Sequence, residues 1–66
     1  MSLKAALYLA MKEEGISKSE LARRMGSEEK DVRRTLDPSE PTKAPAVERA
    51  LAFLGRLVIV EIRKAA

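Results

Sequence analysis

Apolar residues recur three and four positions apart through most of this chain, and that rhythm gives way near the C-terminus to a run of branched apolar residues. Leu3, Leu7, Ala10 and Met11 fall on one face of a helix predicted over 3–14. Ser2 can cap its start. Gly15 can stop it, because glycine accepts the left-handed conformation that follows a helix C-terminus. Leu21, Ala22 and Met25 mark a second helix over 18–25. Ser17 and Glu20 have the spacing of a capping box, in which each side chain bonds the other's backbone N–H. Gly26 ends that helix and supplies a tight turn. Val32 and Leu36 line a third helix over 28–36, with Ser27 or Glu28 at its N-cap. Glu28 and Glu29 favour the positive end of its dipole. Asp37-Pro38 stops it, since the residue before proline is pushed away from helical angles. Residues 38–43 form a loop stiffened by Pro38 and Pro41. Val47, Ala50, Leu51 and Leu54 share one face of a fourth helix over 44–54, which tolerates Pro45 in its first turn and ends at Gly55.

The run Leu57-Val58-Ile59-Val60-Glu61-Ile62 breaks the helical rhythm. It reads as a strand over 57–62, with Leu57 and Ile59 on one side and Val58, Val60 and Ile62 on the other. A lone strand leaves its backbone donors and acceptors unpaired. No second strand is evident in the sequence, so the expected solution is antiparallel pairing with the same strand of a second copy about a twofold axis. The other reading is that the segment extends the fourth helix or packs irregularly. The expected fold is therefore mainly α: a single four-helix domain over residues 1–66, with one C-terminal strand pairing across a homodimer.

Composition sharpens this picture. A chain of 66 residues makes one small domain, and it has neither cysteine nor histidine. Disulfides and the common zinc sites are excluded, which leaves oligomerisation as the natural supplement to a modest core. No cofactor is expected. The usual nucleophile–base pairs are unavailable, so catalysis is not expected either. The N-terminus lacks a signal-peptide pattern, and no apolar stretch approaches the roughly 20 residues of a membrane span. The expected setting is a soluble, cytoplasmic one, with no membrane partner.

The net charge is +3 and the isoelectric point about 9.6. That balance permits nucleic acid as a partner without demanding it. The bases concentrate in the second and third helices as Lys18, Arg23, Arg24, Lys30, Arg33 and Arg34, interleaved with Glu20, Glu28, Glu29 and Asp31. One Phe and one Tyr are too few for an aromatic platform that stacks RNA bases.

Two short helices joined by a tight turn have the geometry of a helix-turn-helix, which places its second helix in a DNA groove. On that reading Glu29, Lys30 and Arg34 project from the exposed face of the third helix and read bases. Lys30 or Arg34 can donate to guanine O6 and N7, and Glu29 can accept from cytosine N4. Lys18 and Ser19 open the second helix, whose N-terminus can meet a phosphate. Arg33, Thr42 and Lys43 are further phosphate contacts. Each assignment has a plainer counterpart. Arg23 and Arg24 fit a solvated face with Glu20 and Glu28 better than a DNA contact. Arg33 and Arg34 can pair with Glu29 and Glu40. Glu29 can serve only the helix dipole. The competing function is a protein-interaction and dimerisation module that does not bind DNA specifically. Four acidic residues in or beside the second and third helices favour it, because they repel phosphate.

These residues resemble the C-terminal DNA-binding domain of HicB-type antitoxins, within the phage-repressor-like (Xre/Cro) helix-turn-helix group. The likeness rests on Ala6-Leu7-Tyr8-Leu9-Ala10-Met11-Lys12 and on Ile16 through Gly26. It continues through Glu29-Lys30-Asp31-Val32-Arg33-Arg34-Thr35-Leu36-Asp37-Pro38, Val47-Glu48-Arg49-Ala50-Leu51 and Leu54-Gly55-Arg56-Leu57-Val58. It implies operator recognition as a dimer and repression of the cell's own toxin–antitoxin operon. Family members usually carry an N-terminal domain that blocks the RNA-cleaving HicA toxin, so a HicA-like toxin is expected as a partner only through a domain missing from this chain. The sequence departs from the group at Ser27, where an apolar residue often packs in the turn. It departs also at Glu28, where a small cap is common, at Lys18, which replaces a frequent glutamine, and at Thr35, which replaces a leucine.

Overall fold

A computed structural model describes residues 2–59 and 61–65. Four helices follow one another: α1 (Leu3–Glu14), α2 (Lys18–Met25), α3 (Glu29–Leu36) and α4 (Ala44–Phe53). Two bounds differ from expectation by one residue. Glu28 stands outside α3 as its N-cap, with extended backbone angles, and Leu54 stands outside α4 as its C-cap.

Side-chain oxygens cap the first two helices. The Ser2 hydroxyl accepts from the Ala5 N–H at 3.1 Å, and the Ser17 hydroxyl accepts from the Glu20 N–H at 3.1 Å. Only this half of the expected capping box on α2 forms. The Glu20 carboxylate turns away to Arg23 and Arg24, because two guanidiniums one turn on offer it charge-assisted partners. On α3 the Asp31 carboxylate reaches back to the Glu28 N–H at 3.4 Å. At the other ends, α1 and α2 run into glycines with positive φ, 64° at Gly15 and 67° at Gly26. The residue beyond each glycine bonds back into its helix: Ile16 N–H to Met11 O, and Ser27 N–H to Ala22 O, both at 2.9 Å. The turn between α2 and α3 is thereby fixed by backbone hydrogen bonds.

The apolar faces meet in one core of Leu7, Ala10, Met11, Leu21, Ala22, Val32, Val47, Ala50, Leu51 and Leu54. Leu3, Met25 and Leu36 reach it from its edge. α2 packs on α3, α1 packs on α4, and α4 also touches α2. No polar side chain belongs to the buried set among the described residues. One polar atom is an exception: the Ser27 hydroxyl oxygen is shut off from solvent and finds no hydrogen-bond partner. It lines a cavity of about 220 Å³ together with Leu7, Leu21, Val32 and Ala50.

Two long-range contacts brace this core. The Lys4 ammonium donates to the carbonyls of Asp37 and Glu40 and ties α1 to the loop before α4. Arg56 forks onto Glu13 and Glu14, with both contacts at 2.9 Å, and clasps the chain leaving α4 to the end of α1.

Among the described residues, the expected strand over 57–62 is not formed. Residues 57–59 and 61–62 have no regular structure, and Val60 lies outside the described residues. A strand needs a paired neighbour, and the described residues of one copy contain none. Of the other reading, the longer fourth helix is not seen, because α4 ends at Phe53 and Gly55 follows with φ 74°, whereas irregular packing is what residues 57–59 show. Val58 packs against the core, whereas Leu57, Ile59 and Ile62 are 86%, 83% and 93% exposed.

Candidate nucleic-acid interface

Val32 and Leu36 pin α3 to the core and so decide which of its residues face outward. At 100° per residue, Lys30 and Arg34 lie opposite that apolar seam, Arg33 lies on the flank towards α2, and Asp31 lies on the other flank. Lys30, Arg33 and Arg34 are all exposed, and Glu29 is half-buried. The outward face of α3 is thus basic, with acidic residues confined to its first turn and edges.

Most of these charges already have partners. Glu29 Oε2 accepts from the Ser19 hydroxyl at 3.0 Å, and Glu29 Oε1 pairs with Arg33 Nη2 at 3.0 Å. The first bond joins the N-terminal ends of α2 and α3, and the second lies within α3. The Arg33 hydrogen bond, followed by that from Ser19, holds the Glu29 carboxyl below its ordinary pKa. Lys30 pairs with Glu28 at 3.3 Å. Arg23 pairs with Glu20, and Arg24 meets the same carboxylate at 3.3 Å. The solvated face expected for Arg23 and Arg24 is present, with Glu20 alone as its acid, since Glu28 goes to Lys30.

Arg34 and Lys18 make no ion pair among the described residues, and Glu40 is not a partner of Arg34. Arg34 and Lys43 instead line one hollow of about 210 Å³ with Asp31, Thr35, Glu40 and Pro41. The structure thus brings the end of α3 and the start of α4 together around two cations and two carboxylates. Thr42 lines a different groove, beside Lys4, Tyr8 and Pro38. Lys4 is the residue that sequence reasoning missed here. Its contacts to Asp37 and Glu40 span 33 and 36 residues, and no local signal announces them. Arg49 was also passed over; it sits 5.9 Å from the centre of the Phe53 ring and reaches the Met25 carbonyl at 3.5 Å.

Among the described residues no three His, Cys, Asp or Glu side chains gather to hold a metal ion, and no helix is long and apolar enough to cross a membrane. No family model matches the chain, and no solved structure matches it. Among curated proteins it is similar to Antitoxin HicB of Pseudomonas fluorescens (strain Pf0-1), with 40% identity over 62 residues. The alignment covers 94% of this chain and 42% of that protein, so the chain spans less than half the length of its relative.

Proposed function

We propose that this chain is the DNA-binding part of a HicB-type antitoxin, which binds the operator of its own toxin–antitoxin operon as a homodimer and represses it. The observation that carries this reading is the α2–turn–α3 pair, locked at Gly26 and presenting the basic outer face of α3. The 40% identity to Antitoxin HicB supports the same role. A HicA-like toxin is a partner through a domain outside this chain. The chain acts by binding, without catalysis or cofactor, in the cytoplasm.

In this reading α3 enters the major groove as the second helix of a helix-turn-helix. Lys30 and Arg34 reach base edges, and Arg34 makes no ion pair among the described residues. Lys18, Ser19, Arg33, Thr42 and Lys43 supply phosphate contacts along the flanks. Leu57, Val58, Ile59, Val60 and Ile62 form the strand that pairs between copies.

One observation favours a second reading, a protein-interaction module. Of the six bases on α2 and α3, Arg23, Arg24, Lys30 and Arg33 are ion-paired. Salt separates the two. DNA binding weakens steeply as salt rises, because counterions are released, whereas a largely apolar protein contact does not.

The test is fluorescence anisotropy with labelled DNA from upstream of the gene and a scrambled duplex, at about 0.15 M salt. The expected preference for the operator is roughly a thousandfold. Arg34→Ala costs roughly 1–3 kcal/mol and relaxes specificity at one base pair, and Lys18→Ala weakens binding evenly across sequences. Equal, weak binding to both duplexes overturns the proposal and favours the interaction module.

A further inference from the structure

Glu29 presents a problem for any DNA-binding surface. It opens α3, its carboxylate repels phosphate, and yet it lies where α2 and α3 converge. The sequence suggested that it reads cytosine. Its geometry indicates something else. Both of its oxygens are engaged within the chain, one by the Ser19 hydroxyl and one by the Arg33 guanidinium, each at 3.0 Å. A phosphate would offer Arg33 an anionic oxygen in place of the one that Glu29 now supplies. Ser19 fixes the carboxylate from the neighbouring helix, so Arg33 is held by an acceptor that the fold itself positions.

We infer that Glu29 is an internal stand-in for DNA phosphate, which withholds Arg33 from non-specific duplex and yields it only when the remaining contacts of the operator complex are in place. Glu29 is then a specificity-determining residue that acts through Arg33 and touches no base. This rests on the DNA-binding reading given above.

The pair is exposed enough that it is weak, with the Arg33 and Glu29 side chains 61% and 42% accessible. Weakness is what the role requires. A strong pair would never release Arg33, whereas a marginal one loses to a well-placed phosphate and holds against a poorly placed one. One phosphate contact changes the slope of log K against log salt by about 0.9, which corresponds to about fivefold in affinity between 1 M and 0.15 M salt.

The experiment is a salt titration of binding, by anisotropy, for the full chain on operator and on scrambled duplex. The proteins are wild type, Glu29→Gln, Arg33→Ala, the Glu29→Gln/Arg33→Ala double variant, and Glu48→Gln. Glu48 is exposed on α4 and has no ion pair among the described residues, so its variant reports the change in net charge alone. Glu29→Gln is expected to bind scrambled DNA about fivefold more tightly than wild type, with a slope steeper by about 0.9. Its slope on the operator stays at the wild-type value, and the gain disappears in the double variant. The inference is overturned if Glu29→Gln gains no more than Glu48→Gln, or if the gain survives removal of Arg33. It is overturned equally if Glu29→Gln loses operator affinity with no gain on scrambled DNA, since Glu29 would then be reading a base. If wild type does not distinguish operator from scrambled DNA, the proposed function fails, while the slopes on scrambled DNA still decide the role of Glu29.

Discussion

A carboxylate can be held chiefly by its near neighbours, as Asp37 is in the turn after α3. Its Oδ1 accepts from the Ser39 hydroxyl at 2.7 Å and from the Ser39 N–H at 2.9 Å. The hydroxyl bond first, and the backbone bond second, hold the Asp37 carboxyl below its ordinary pKa of 3.8. A pKa lower in the folded chain than in the unfolded one adds stability above the unfolded value. That contribution is lost as pH falls through the folded value, so it matters only on the acid side. Ser39→Ala is expected to move the Asp37 pKa back towards 3.8, as followed by NMR titration of its carboxyl carbon. An unchanged titration would show that the Ser39 hydroxyl does not set it. Asp37-Pro38 was in view from the sequence as a helix stop, but the two hydrogen bonds from Ser39 onto one oxygen emerge only from the backbone path of the turn.

Helices and their ends were the most legible part of this protein, because the rules that place them are local. The spacing of Leu7, Ala10 and Met11, the stop at Gly15 and the cap at Ser17 need no knowledge of distant residues. The same locality explains the misses. Glu20 was assigned to a capping box by its distance from Ser17, yet Arg23 and Arg24 compete for it from the same helix. The Lys4 tether could not be read at all, since it depends on the loop after α3 returning to α1. Ser27 marks a flaw within the α2–α3 turn. Its hydroxyl is buried without a partner beside a cavity of about 220 Å³ lined by Leu7, Leu21 and Val32. Ser27→Val removes an unsatisfied hydroxyl and fills part of that space. It is expected to stabilise the fold by about 1–2 kcal/mol. Thermal unfolding followed by circular dichroism checks this, with a rise of roughly 4–8 °C per kcal/mol for a chain of this size. A lower midpoint would mean that the cavity is too narrow for a branched side chain.

At the scale of the molecule, the C-terminal segment stands apart from the rest. The radius of gyration is 12.7 Å, where a compact chain of this length has about 11 Å. Leu57, Ile59 and Ile62 carry their apolar surface into solvent, which a lone copy gains nothing by doing. The apolar run was plain in the sequence, but its irregular backbone was not, because the same run of branched residues fits a strand once it has a paired neighbour. Ile59→Lys places a charge in the centre of the proposed two-stranded seam. Sedimentation is expected to shift from dimer to monomer, and operator binding to weaken with it. A wild-type chain that sediments as a monomer at high concentration would sink the pairing scheme. The clasp of Arg56 on Glu13 and Glu14 then acquires a metric meaning. It moors the start of the segment to the body that carries α3, so in the proposed dimer the residues after Arg56 set the span between two copies. In such a dimer the phase between the two halves of an operator is written as a residue count along this tail, and the clasp is the zero of that ruler.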